Sequence, residues 1–165
     1  MERNKKQLLP MILVFTIIGA AYSCRMLALL DIGGAWMNYT RAALYLLLFS
    51  LWGYSLDRRI IQTQALHCLR LTAALMLVWL ILRTLKYEFV TDLTVARYIW
   101  YLYYLPMLFI PLLGVYVALS LGKSEEYRLT GKAGFLVAIP GILFLLVITN
   151  DLHQQVFAFD SGVPG

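Results

Sequence analysis

Charge is scarce in this sequence, and its scarcity excludes more than any motif the chain contains. Lys, Arg, Asp and Glu make up 14% of the 165 residues, against 61% hydrophobic residues and a mean hydropathy of +0.74. A water-soluble domain carries roughly 25% charged residues, because its surface needs polar cover. A soluble fold is therefore excluded, and lipid is the solvent that suits this chain. Histidine and cysteine are equally thin, two of each. Cys24 and Cys68 lack metal-ligand or redox spacing, fall near opposite membrane faces in the topology below, and are not expected to pair. No nucleotide-binding loop, nucleophile elbow or paired carboxylate is present, so the chain offers no catalytic residues, no metal site and no cofactor. The net charge of +5 does not imply nucleic acid. The basic residues sit in short clusters between apolar runs, which leaves no basic face for phosphates.

What the chain has in abundance is long apolar runs. A helix needs about 20 mainly apolar residues to cross the hydrocarbon core. Runs of that kind occupy residues 8–30, 37–56, 66–85, 98–121 and 133–149, and predict an all-α, polytopic transmembrane bundle of about five helices in a single region. Their near-continuous apolarity, without ten-residue alternation, argues against a barrel. Ala21-Tyr22-Ser23-Cys24 vaguely resembles a lipoprotein cleavage box, but Tyr22 is bulky and the apolar run continues through Leu30, so an uncleaved first helix is expected. Arg3, Lys5 and Lys6, then Arg58 and Arg59, then Lys123, Arg128 and Lys132 mark one side. Arg41, Arg83, Lys86 and Arg97 on the other are offset by Asp31, Glu88 and Asp92. The positive-inside rule places the N-terminus in the cytoplasm and the tail 150–165 outside, in a multi-pass inner-membrane protein. The odd number of helices and the turn-like end suggest an interrupted chain.

Three features are candidates for function. Tyr98, Trp100, Tyr101, Tyr103 and Tyr104 open the fourth run, either as an interfacial aromatic belt or as a wall for an apolar or cationic ligand. Pro106, Pro111 and Pro140 each remove a backbone donor and kink a helix, as a hinge or as static shape. Asn150, Asp151 and His153 form a polar group at the outer end of the fifth run, either a ligand contact or a helix stop. Gly19 with Ser23 and Gly114 with Ala118 are spaced for close helix packing. His67 and Cys68 read as packing residues.

Read in order, Tyr104-Leu105-Pro106, Pro111, Leu119-Ser120-Leu121-Gly122-Lys123, Arg128, Ile139-Pro140 and Thr149-Asn150-Asp151-Leu152-His153 resemble the seven-helix N-terminal sensor region of bacterial histidine kinases. The resemblance covers roughly residues 98–157, with weaker support over 40–87. It implies further helices leading to a cytoplasmic kinase, with the Thr-Asn-x-x-His element outside. The first helix is additional to that pattern. The later helices and the kinase are absent, so phosphotransfer is not implied for this chain.

The expectation is a bacterial sensor region in the lipid bilayer, with a small-molecule or envelope signal as partner and a homodimer as a possible assembly. Tyr101, Tyr104, Asn150, Asp151 and His153 would contact the ligand, and Pro106, Pro111 and Pro140 would serve as pivots. A small-molecule or lipid transporter is the alternative. It lacks an inverted repeat and a mid-membrane ionisable residue, since Arg25, Arg70 and Arg83 all lie near helix ends. A lipid-acting enzyme would need more clustered His, Asp or Glu than Asp151 and His153 provide.

Overall fold

The computed structural model describes residues 2–30, 32–56, 60–124, 131–154 and 156–157, with the side chains of 2–9, 35 and 131–133 left aside. The described residues are helical and contain no strand, as the apolar runs predict. The elements are α1 (Glu2–Leu29), α2 (Gly34–Leu56), α3 (Thr63–Glu88), α4 (Leu93–Leu102), α5 (Tyr104–Ser120), α6 (Gly131–Ile148) and the single turn α7 (Asn150–His153). The chain forms two compact units, Met1–Trp52 and Gly53–Gly165, which divide within α2.

Three stretches are long and apolar enough to span a membrane: Pro10–Leu29, Thr63–Glu88 and Leu93–Ser120. They give the chain the character of a membrane protein. The other two expected spans are weaker. In α2, Asn38, Thr40 and Arg41 dilute one end of the helix. In α6 the described apolar stretch, Gly134–Ile148, is shorter than a full span. Arg3, Lys5, Lys6 and Lys132 have no described side chains, and Asp31, Arg58, Arg59, Arg128 and the tail beyond 157 lie outside the described residues.

In the first unit, α1 and α2 are joined through Gly33 and Gly34, both at positive φ. Gly33, at φ 87°, holds a conformation that side-chain-bearing residues rarely adopt, so this corner favours glycine.

The second unit is built on α3 and α5, with α6 against α5. Its core is Cys68, Leu113 and Tyr116, flanked by Leu75 of α3, Leu112 and Val117 of α5 and Leu136 of α6. Much of the remaining surface is apolar and exposed, including Leu71, Val78, Ile81, Val115, Ile142 and Leu145. In water this would be a liability. In lipid such side chains meet their own kind, and close packing and polar contacts hold the helices together instead. Gly19 and Gly114 do not act as expected within the described residues, because a Cβ on either would meet nothing within 4 Å.

One end of the unit is clamped by Gln62, whose Nε2 donates to the Ser120 carbonyl at 2.7 Å. That carbonyl lies in the last turn of α5, where the helix offers it no partner. Beyond it the chain reverses in a type II turn: Leu121 has φ −61° and ψ 134°, Gly122 has φ 75°, and the Lys123 N–H returns to the Ser120 carbonyl at 3.2 Å.

The expected helix 98–121 is two helices. It starts earlier because Asp92 caps α4, its Oδ1 accepting from the N–H groups of Thr94 (2.7 Å) and Val95 (3.2 Å). It breaks at Tyr103 because Pro106 has no N–H to give the Leu102 carbonyl and its ring crowds that oxygen. The Tyr103 N–H instead takes the Trp100 carbonyl at 3.1 Å, a tighter turn, and the Met107 N–H resumes the ladder to Tyr103 at 3.3 Å. Pro111 and Pro140 lie within α5 and α6 without ending them.

Candidate functional site

The end of the second unit opposite the Gln62 clamp gathers α4, the start of α5, and α7. Arg97, Trp100, Tyr101 and Tyr104 fall at i, i+3, i+4 and i+7, which is one stripe of a helix. Tyr101 is 1% exposed and donates its hydroxyl hydrogen to Asp151 Oδ1 at 2.7 Å. Arg97 lies 3.7 Å from the other oxygen, Asp151 Oδ2. The tyrosine bond is the stronger tie. It is short, made to a charged acceptor and buried at the tyrosine, whereas the Arg97 and Asp151 side chains are 36% and 27% exposed and their pair is screened.

Asn150, the residue before, is fully buried. Its Oδ1 accepts from the N–H groups of Val156 and Phe157, both at 3.0 Å, and its Nδ2 donates to the Phe157 carbonyl at 2.9 Å. The chain can return on itself because Gln154 takes the left-handed conformation, φ 49°, and its N–H closes α7 on the Asn150 carbonyl at 2.7 Å. Of the two readings of this polar group, the amide of Asn150 acts as the pin of a turn. His153 lies half-buried and contacts Thr149. The Thr149 hydroxyl donates to the Leu145 carbonyl at 2.7 Å and lies 3.2 Å from His153 Nε2.

The turn delivers Phe157 to the aromatic stripe. Its ring centroid is 4.6 Å from Trp100 and 5.5 Å from Tyr104, and those two meet edge to face at 5.7 Å. The aromatics of the α4–α5 junction therefore do different jobs. Tyr98 is exposed and stacks edge-on against Tyr101. Tyr103 is buried on the other side, facing α3, with its hydroxyl 3.5 Å from the Leu82 carbonyl and Lys86 Nζ 5.9 Å from its ring.

All five expected ligand-contact residues thus lie at this end. Tyr101 and Asp151 bond directly, Tyr104 and Asn150 are joined through Phe157, and His153 is tied to Thr149. Of the three prolines, Pro106 sits at the helix break and is fully buried, while Pro111 is exposed and Pro140 buried within continuous helices. Arg97 and Phe157 were not among the expected site residues, and Trp100 was expected only as part of the aromatic belt or wall. Arg97 was recoverable from its spacing with Tyr101 and Tyr104, but nothing in the sequence around Phe157 announces a left-handed turn at a glutamine. Among the described residues, no three His, Cys, Asp or Glu side chains converge. No protein-family profile, no curated protein and no solved structure matches the chain.

Proposed function

We propose that this chain is the membrane-embedded sensory region of a bacterial signal-transduction protein, resident in the inner membrane with its N-terminus in the cytoplasm. The α4–α7 end then faces outward and carries the signal-receiving site. The observation that supports this most is the bond between Tyr101 and Asp151, which ties the α6–α7 arm to α4 just before the break that Pro106 imposes. A ligand shifts such a joint only by binding one arrangement better than the other. Tyr101, Tyr104, Asn150, Asp151 and His153 are the contact or support residues, and Pro106 is the pivot next to them. The chain performs no chemistry in this reading, and its output is a change in helix arrangement.

The test replaces the chromosomal copy with Tyr101→Phe, with His153→Ala, or with a deletion, and compares transcript profiles at equal membrane abundance of the chain. Both substitutions are expected to change expression of the same set of genes as the deletion. Identical profiles in the wild type, both variants and the deletion would overturn the sensory role.

A further inference from the structure

Trp100 and Tyr104 make a corner of two rings at right angles, and a third ring sits in it. Trp100 and Tyr104 belong to α4 and α5, on either side of the Tyr103 break, and their rings meet at 88°. Phe157 lies tilted against both, at 54° to Trp100 and 51° to Tyr104. The geometry recognises a flat, uncharged ring, since aromatic faces and edges attract one another at such separations. The third ring is tethered to the chain. Phe157 is anchored by the Asn150 amide, beyond Gln154 in the left-handed region at φ 49°. Phe157 itself is half-buried, and Val156 beside it is exposed. The Arg97–Asp151 pair nearby brings one charge of each sign, which gives no net preference for a charged ligand.

We propose that Trp100 and Tyr104 form a binding site for small neutral aromatic molecules, which compete with the chain's own Phe157 for one place. The inference rests on the sensory reading for its biological purpose and on ring geometry for its chemistry. Entry of a free ring releases Phe157, and with it the segment that Asn150 holds. A tethered ring is present at a high effective concentration. The free ring therefore binds with its dissociation constant divided by the fraction of molecules in which Phe157 is out, that is, more weakly than to an empty corner.

The experiment uses the full chain in lipid nanodiscs, with 4-fluorophenylalanine placed at position 157 and p-cresol as the probe. Titration is expected to move the fluorine resonance from a ring-stacked to a solvent-like position, saturably. Cyclohexanol, of similar size but without a flat ring, is expected to leave it in place. A resonance that ignores saturating p-cresol, or that responds equally to cyclohexanol, overturns the site. As a second readout, Phe157→Ala should tighten p-cresol binding on the order of tenfold by removing the competitor, and Trp100→Leu in that background should abolish it. Equal affinity with and without Phe157 also overturns the proposal. These measurements are separate from the transcript test. Saturable ring displacement with unchanged transcripts would keep the site and discard the sensory role, and the converse would do the reverse.

Discussion

At the scale of single residues, the α4–α7 end of the second unit depends on a few polar atoms with defined partners. Tyr101→Phe removes one hydroxyl and leaves the ring. Hydrogen bonds to charged groups contribute about 1.5–3 kcal/mol in water-soluble proteins, while side-chain bonds between membrane helices average about 0.6 kcal/mol. Asp151 remains partly wetted and able to find water, so the coupling between Tyr101→Phe and Asp151→Asn is expected near 1 kcal/mol in a double-mutant cycle of unfolding in detergent. A coupling of zero would mean that the 2.7 Å contact does not tie α4 to α7. Asp92 offers a second test. Asp92→Ala should lose about 1 kcal/mol of capping and speed hydrogen exchange at Thr94 and Val95, with little change at Tyr116.

At the scale of elements, Pro106 is the cause of the α4–α5 break, and its replacement should mend it. Pro106→Ala restores an N–H for the Leu102 carbonyl and removes the ring that crowds it. The new amide at 106 is expected to be protected from exchange, with α4 and α5 merging into one helix. Pro111→Ala, within a helix that already runs through, should leave helix directions unchanged. The sequence displayed part of this arrangement. The apolar runs located α3 to within three residues at each end and the end of α5 to within one, because lipid leaves an apolar helix few alternatives. The early start of α4 was also present, in the Asp92-Leu93-Thr94-Val95 cap, but the near-continuous apolar run begins only at Tyr98. A helix starting there would put Arg97 in a loop, away from the stripe it shares with Trp100, Tyr101 and Tyr104. The role of Asn150 was half legible, as a turn-former without a partner. Its partners are backbone groups of Val156 and Phe157, which no side-chain pattern can signal.

At the largest scale, within the second unit, the Gln62–Ser120 and Tyr101–Asp151 ties lie at opposite ends with apolar packing between them. Were 97–120 one straight helix, its rise would be about 35 Å at ~1.5 Å per residue, slightly more than the roughly 30 Å of hydrocarbon, so the stretch is long enough to bring both levels to the interfaces. A cysteine-labelling experiment checks which level faces which side. In a background lacking Cys24 and Cys68, both free thiols, Thr91→Cys should react with an impermeant maleimide added to intact cells. Ser124→Cys should react only after lysis, and the opposite pattern would invert the topology. The layered construction makes the molecule answer to two unrelated properties of its surroundings. Dissolved ions screen the Arg97–Asp151 pair at the rim and leave the middle untouched. Acyl-chain length is expected to act on the apolar span, where Cys68, Leu113 and Tyr116 are packed. Salinity and membrane thickness are thus two separate handles on the second unit.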